Sequence, residues 1–284
     1  MNNLLLKSLE RQKVYKEGFY NKNNIFPRIQ INEEKKKEFV ENSLIKIVAG
    51  PRRAGKSTYL FSLLEGKDFA YVNFDDVEIL NSYTSINELL ELLGKVYGST
   101  RTVLFDEIQN IPKWPLVLNQ MHREGYNVFV TGSNSNLFGT SFATHLTGRY
   151  IMLDLFPFSY KECLTVPGFK EKNESVLEIM YTGGFPEVVV NDMEPGKYTE
   201  TLLKNIAYKD VVLRYKIKFP NRIELLMGYL VANITNTLNF ETIKEILKID
   251  SYKTINKYID CIEESYAFLF LSPFSFKPKE RFNF

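Results

Sequence analysis

The chain has 284 residues, of which 44% are hydrophobic and 25% are charged, and its formal net charge is +2. A chain of this length and composition can bury the cores of two globular domains, which excludes a disordered or fibrous protein. Its two cysteines, Cys163 and Cys261, form no C-x-x-C pair, which argues against a disulfide framework or a zinc site and favours a reducing cytoplasm.

The N-terminal segment MNNLLLKSLERQKVYKEGFY predicts an amphipathic helix, because charged residues soon interrupt its short apolar cluster. No uncharged run in the sequence reaches the roughly 18 residues that a membrane-spanning helix needs. We therefore expect a protein without a membrane partner.

Five apolar runs predict the strands of a parallel sheet. They are LIKIVAG (44–50), FAYVNFDD (69–76), RTVLFDEI (101–108), YNVFVTGS (126–133) and YIMLDL (150–155). Helix-like segments such as KSTYLFSLL, INELLELLGKVYG and WPLVLNQMHREG lie between them. Near-continuous apolar strands that alternate with helices are typical of a parallel sheet covered on both faces. Residues 1–156 are therefore predicted to form an α/β domain that includes the N-terminal helix.

A phosphate-binding loop follows the first predicted strand. The pattern G-x-x-x-x-G-K-[ST] is satisfied by Gly50, Pro51, Arg52, Arg53, Ala54, Gly55, Lys56 and Ser57, with Thr58 next in the chain. The glycines allow successive backbone N–H groups to point at phosphates, and the following helix adds its positive N-terminal end. Lys56 is expected to reach the β- and γ-phosphates of ATP, and the Ser57 hydroxyl is expected to ligate Mg²⁺.

An acidic pair ends the third predicted strand, TVLFDEI. Asp106 is the expected second partner of Mg²⁺, and Glu107 is the expected residue that polarises the attacking water. One predicted strand lies between the phosphate loop and this acidic strand in the sequence, which allows the two to be separated in the sheet. Kinases and GTPases usually pair them directly, so the pattern favours an ATPase of the motor or switch type over a metabolite kinase.

The sequence after Phe156 changes to proline, glycine and helical patterns. Residues 157–215 are predicted to form a helical lid, and residues 216–284 a winged-helix domain. That domain would contain three helices, RIELLMGYLVANIT, FETIKEILKI and YKTINKYIDCIEES, followed by an aromatic hairpin, YAFLFLSPFSF. Ser251 is the predicted N-cap of the third helix, whose buried stripe would be Ile255, Ile259 and Ile262.

The outer face of the third helix carries the residues expected to contact DNA, which are Tyr252, Lys253, Asn256 and Lys257. From Thr201 onward the chain has 13 Lys or Arg and 9 Asp or Glu, and Lys277, Lys279 and Arg281 follow the hairpin. This basic surplus is modest for a nucleic-acid module, and a winged helix also serves protein contacts. The partner therefore stays open between DNA and protein.

Six motifs together resemble the AAA-type archaeal and bacterial ATPases related to origin-recognition proteins. They are GPRRAGKST, FDEIQNIPKWP, TGSNSNLF, LTGRY, FPFSYKE and GGFPEV. The resemblance covers essentially the whole chain and implies an Mg²⁺-dependent ATPase that binds ATP and ADP in an AAA+-type fold. Residues 50–58 correspond to the Walker A motif of that family, and Asp106 with Glu107 to its Walker B motif.

Further roles are implied by the resemblance. Asn134 corresponds to the sensor 1 residue that contacts the γ-phosphate, with Ser133 as the alternative, and Arg149 corresponds to an arginine finger acting in trans within a homo-oligomer. No arginine of the GGFPEV region matches a sensor 2, and Arg214 is the candidate substitute. Family members usually continue into a C-terminal domain of unknown function. Because the sequence ends at KPKERFNF, that domain is expected to be absent or truncated.

Overall fold

Two compact units, Met1–Thr199 and Glu200–Phe284, make up the chain. The computed structural model describes residues 2–22, 24–29, 33–133, 146, 148–172 and 175–271. Within the described residues, no helix combines the length and the apolar character that crossing a membrane requires.

A five-stranded parallel sheet forms the centre of the first unit, in the order β2-β3-β4-β1-β5. The strands are β1 (Ile45–Ala49), β2 (Ala70–Asn73), β3 (Thr102–Asp106), β4 (Asn127–Gly132) and β5 (Tyr150–Asp154). Every residue of β1 is buried, as are most residues of β2, β3 and β4. The predicted parallel α/β sheet is therefore confirmed, and four of its five apolar runs correspond to strands that are mostly buried, whereas β5, at the end of the strand order, is only partly buried.

Strand β4 lies between the phosphate-loop strand β1 and the acidic strand β3. The register pairs Val48 with Thr131 and Phe105 with Val130. The separation of the two motif-bearing strands is thus confirmed, although the inserted strand comes after the acidic strand in the sequence. Because all strands are parallel, the carboxyl ends of β1, β3 and β4 meet at one edge of the sheet, where ligands bind in such folds.

Eleven of the described α-helices begin in the first unit. They are α1 (Asn3–Lys22), α2 (Glu33–Glu41), α3 (Lys56–Leu63), α4 (Val77–Ser82), α5 (Ile86–Tyr97), α6 (Trp114–Arg123), α7 (Tyr160–Cys163), α8 (Phe169–Lys172), α9 (Val176–Thr182), α10 (Pro186–Asn191) and α11 (Pro195–Asn205), the last of which crosses the unit boundary. Helix α1 is the predicted N-terminal helix. It buries Leu5, Leu9 and Phe19, and the Phe19 ring stacks on Phe61 with centroids 4.2 Å apart.

A buried cation lies within strand β1, between β4 and β5. The Lys46 side chain is 0% exposed, and its ammonium donates hydrogen bonds to the Asn42 carbonyl and to Asn127 Oδ1. The same ammonium lies 5.2 Å from the centroid of the Phe129 ring. Burial lowers the pKa of Lys46 to about 8, because removal from water disfavours the charged form.

The second unit is helical over its described residues. A π-helix (Ile206–Leu213) continues from α11 and precedes α12 (Pro220–Ala232), α13 (Phe240–Leu247) and α14 (Tyr252–Glu264). Ser251 caps α14, since its side chain accepts a hydrogen bond from the Thr254 N–H, and the predicted stripe of Ile255, Ile259 and Ile262 is buried.

The predicted aromatic hairpin is wrong over its described part, because residues 266–271 contain no strand. Phe268 and Phe270 are partly buried against the helical core instead. Their alternation reflects contact with that core and does not require a paired strand. The remainder of the predicted hairpin, with Lys277, Lys279 and Arg281, lies outside the described residues, and the winged helix stays a prediction.

Candidate phosphate and metal site

The phosphate loop begins at a residue that has to be glycine. Gly50 has φ +148°, and a Cβ atom at this position would lie 2.1 Å from the Leu155 carbonyl oxygen. The close approach follows from sheet pairing, because the Leu155 N–H donates to the Ala49 carbonyl at 2.7 Å. Glycine therefore allows the loop to leave β1 while β5 continues beside it.

The loop then turns into helix α3 through two residues with positive φ, Arg53 at 67° and Gly55 at 89°. Gly55 is the N-cap of α3 and provides no side-chain cap for the first N–H groups of the helix. Unsatisfied N–H groups and the positive end of the helix dipole make such a terminus suitable for a phosphate. The local geometry thus agrees with the function that the sequence predicts for this loop.

Lys56, the first residue of α3, is buried inside the loop. Its ammonium donates to the Gly50 carbonyl at 3.1 Å and to the Pro51 carbonyl at 2.9 Å. The charge therefore lies among the backbone groups that would surround a phosphate. Pro51 and Ala54 are buried beside it, whereas Thr58 is half-buried on α3.

Asp106 is buried at the end of β3 and accepts hydrogen bonds from three hydroxyl groups. Ser57 donates to Oδ2 at 2.7 Å, Tyr71 donates to Oδ2 at 3.2 Å, and Thr131 donates to Oδ1. The structure thus brings the two predicted metal ligands, Ser57 and Asp106, into direct contact. A hydroxyl and a carboxylate are hard oxygen ligands of the kind that Mg²⁺ prefers, so this pair fits that ion.

Glu107 follows Asp106 in the left-handed region, with φ 53° and ψ 45°. Its N–H donates to Thr131 Oγ1 at 3.1 Å, and its Oε2 accepts from the Ser133 hydroxyl at 3.2 Å and from the Gln109 amide. Burial raises the pKa of Glu107, and the nearby positive charge of Lys56 opposes this effect. A carboxylate with a raised pKa is a better proton acceptor than an ordinary glutamate.

The GGFPEV segment lies against the phosphate loop, a contact that sequence reasoning missed. The Arg53 guanidinium pairs with Glu187 at 2.7 Å, and a Cβ on Gly55 would lie 3.6 Å from Pro186 Cγ. Gly184 allows the segment to pack against the backbone of Phe158, since a Cβ on this glycine would lie 2.1 Å from the Phe158 carbonyl oxygen. The motifs themselves were visible in the sequence, but no spacing or periodicity indicated that they touch.

Arg149 lies at the amino ends of the strands, whereas the phosphate loop lies at their carboxyl ends. Its carbonyl accepts a hydrogen bond from the N–H of Ile45, the first residue of β1, and its guanidinium donates to Asn119 Oδ1. The loop, by contrast, follows the last residue of β1. The structure therefore does not bring Arg149 together with Lys56, Ser57 and Asp106 of the same chain. Asn134 and the other residues of the TGSNSNLF motif after Ser133 lie outside the described residues.

The residues predicted to contact DNA lie in the second unit. Tyr252, Lys253, Asn256 and Lys257 are all exposed on α14. Tyr252 also packs within the unit, because its hydroxyl donates to Glu241 and the Lys244 ammonium lies 4.8 Å from the centroid of its ring. Arg214, the candidate sensor 2, forms an ion pair with the buried Asp210 at 3.2 Å.

Comparisons with known proteins agree with this arrangement. Residues 42–164 match the family model described as AAA domain, and residues 173–281 match a domain of unknown function, DUF8612. The chain is 30% identical over 270 residues to an uncharacterized protein of Methanocaldococcus jannaschii, and 28% identical over 256 residues to one of Haemophilus influenzae. These matches cover 88% and 81% of this chain but 61% and 63% of the relatives, so the chain spans less than two thirds of their length.

Among solved structures, the Walker-type ATPase of Pyrococcus abyssi superposes with a TM-score of 0.57 at 16% identity, covering 86% of this chain and 92% of that chain. At this identity the likeness shows the fold. Together with the match to the AAA domain, it confirms the AAA-type resemblance and the P-loop α/β fold. The expectation that a C-terminal domain of unknown function is absent is wrong, because residues 173–281 match such a domain.

Proposed function

We propose that this chain, whose residues 42–164 match the family model described as AAA domain, is an Mg²⁺-dependent ATP hydrolase of the AAA type. The observation that carries the proposal is the contact of the Ser57 hydroxyl with Asp106, next to the buried Lys56 and Glu107 at one edge of the sheet. Lys56 and the backbone N–H groups of the loop bind the phosphates of ATP. Ser57 and Asp106 hold Mg²⁺, which neutralises charge on the β- and γ-phosphates when it is bound.

Glu107 accepts the proton of the attacking water in this mechanism. The water oxygen forms a bond to the γ-phosphorus, the bond to the β-phosphate oxygen breaks, and ADP and phosphate leave. The raised pKa of Glu107 suits this role, because burial increases its affinity for the proton. Asn134 or Ser133 contacts the γ-phosphate. Arg149 acts on the phosphate of a neighbouring subunit, a role that its distance from its own phosphate loop supports.

Single-turnover hydrolysis of ATP tests the proposal. Glu107→Gln keeps the shape of the side chain but removes the proton acceptor, so it is expected to bind ATP with little change and to hydrolyse it at least about a hundredfold more slowly. Lys56→Ala is expected to lose ATP binding. Wild-type protein that bound no ATP in calorimetry with Mg²⁺ would contradict the proposal, as would a Glu107→Gln variant with wild-type turnover.

A nucleotide-gated switch with little hydrolysis is the second candidate function. One observation favours it, because the hydrogen bonds from Ser133 and Gln109 to Glu107 Oε2 compete with a water for the same oxygen. The wild-type rate separates the two candidates. Stoichiometric ATP binding without multiple turnovers would support the switch.

Coupling of ATP turnover to association with DNA or a partner protein belongs to the same proposal, as does the winged-helix assignment of residues 216–284. The exposed Lys253, Asn256 and Lys257 on α14 support a polyanion partner. Binding to duplex DNA across a salt series tests it, with Lys253→Glu as the variant and Lys67→Glu, on the first unit, as the matched control. Affinity that falls steeply with salt supports DNA, and the absence of binding in low salt leaves a protein partner.

A further inference from the structure

A single buried hydroxyl touches both members of the acidic pair. Thr131 lies on β4, and its side chain is 0% exposed. Its Oγ1 donates to Asp106 Oδ1 and accepts from the Glu107 N–H at 3.1 Å. A hydroxyl has one proton and two lone pairs, so these two bonds use its donor and one acceptor site in a defined direction.

Strand β2, which pairs with β3 on the side away from β4, contributes a second buried hydroxyl. Tyr71 lies on β2 and donates to Asp106 Oδ2, the oxygen that also accepts from Ser57. Burial and the nearby charge of Asp106 raise the pKa of Tyr71, so the phenol stays protonated and acts as a donor. The Asp106 carboxylate is therefore held from both adjacent strands, by Thr131 at one oxygen and by Tyr71 at the other.

These contacts fix the orientation of the Asp106 carboxylate and the backbone conformation of Glu107, neither of which would be kept without them. A carboxylate rotates readily about its terminal torsion, and the bond from Thr131 to Oδ1 resists that rotation while Ser57 and Tyr71 share Oδ2. Glu107 has a positive φ, a conformation that a non-glycine residue keeps only when its surroundings hold it. The Thr131 bond to the Glu107 N–H is part of that support.

We propose that Thr131 is a positioning residue that aligns the metal-binding carboxylate of Asp106 and the proton-accepting Glu107 at the same time, and that Tyr71 positions Asp106 alone. The inference rests on the proposed ATPase function and deepens it. Thr131 is not a catalytic residue here, since it acts through its two neighbours.

Calorimetric affinity for ATP, measured once with Mg²⁺ and once with EDTA, tests the inference alongside kcat. Thr131→Val keeps the shape of the side chain and removes both hydrogen bonds, whereas Thr131→Ser keeps the hydroxyl. We expect the gain in ATP affinity on adding Mg²⁺ to fall about tenfold in Thr131→Val, because a hydrogen bond to a charged group is lost, and to return in Thr131→Ser. The affinity in EDTA should not change.

Tyr71→Phe distinguishes the positioning of Asp106 from that of Glu107. It removes a contact to Asp106 only, so it should reduce the Mg²⁺-dependent gain while lowering kcat at saturating Mg²⁺ less than Thr131→Val does. Equal affinity with Mg²⁺ and EDTA in the wild type would overturn the proposed function and this inference together. This inference alone would be overturned if ATP affinity rose with Mg²⁺ in the wild type and rose equally in Thr131→Val. It would also be overturned if Thr131→Ser did not restore the gain in ATP affinity.

Discussion

Replacing Lys46 by methionine should remove a specific pH dependence from the stability of the protein. The lysine is fully buried in β1, where its ammonium contacts Asn42 and Asn127. Methionine has a similar unbranched stem and carries no charge. The comparison of interest is how the free energy of unfolding changes with pH, because the absolute value also includes the hydrogen bonds that the variant loses.

The sign and size of this change in unfolding free energy follow from the lowered pKa of Lys46. The pKa is about 8 in the folded protein, whereas an ordinary lysine, as in the unfolded chain, has a pKa of 10.5. Between these values the unfolded chain binds more protons than the folded chain, so stability rises with pH. Below about pH 8 both states are protonated, and the burial penalty is fully present. The difference between the two pKa values corresponds to about 3 kcal/mol of unfolding free energy, gained as the pH rises to about 10.5.

Urea unfolding at pH 7 and pH 10.5, followed by the fluorescence of the single tryptophan, Trp114, would measure this effect. Wild-type protein should gain about 3 kcal/mol relative to Lys46→Met over this interval, since other titrating groups cancel in the comparison. Lys67→Met, which removes an exposed lysine, is the matched control and should parallel the wild type. If Lys46→Met parallels the wild type within about 1 kcal/mol, the assignment of a lowered pKa to this lysine is refuted.

Three further predictions concern the phosphate site. Gly50→Ala should destabilise the protein by about 3 kcal/mol or more and abolish ATP binding, because the new Cβ would lie 2.1 Å from the Leu155 carbonyl oxygen, and urea unfolding with calorimetry would check both effects. The kcat for ATP hydrolysis should rise with pH through a midpoint above the ordinary glutamate value of about 4.5, since Glu107 accepts a proton only when ionised, and this dependence should be absent in Glu107→Gln. A double-mutant cycle of Arg53→Ala and Glu187→Ala should give a coupling below about 1 kcal/mol in stability because the pair is partly exposed, while a coupling above about 2 kcal/mol would contradict this.

Most of the first unit was predictable because its information is local. Each strand is an apolar run, and the phosphate loop is a contiguous pattern that lies between β1 and α3 as expected. The acidic pair was also found, since Asp106 and Glu107 directly follow an apolar run. The AAA-type resemblance depended on these contiguous motifs, and the match over residues 42–164 confirms it.

The supports of the site were not predictable, because they depend on which strands are neighbours. Thr131 and Tyr71 reach Asp106 only because β4 and β2 lie on either side of β3, an order that the sequence does not state. The pairing of Arg53 with Glu187 joins residues that are 134 positions apart in the chain. No periodic pattern relates such distant residues, and only the folded backbone brings them together.

The close approach of Gly184 to residue Phe158 bears on how this protein can be divided for experiments. An excised fragment of residues 42–164 would contain the whole G-x-x-x-x-G-K-[ST] pattern and the acidic pair. It would lack Gly184, whose carbonyl accepts the Phe158 N–H at 2.6 Å, and Pro186, which covers Gly55. A fragment that keeps both contacts therefore extends beyond residue 164, at least through the helix that ends at Asn191.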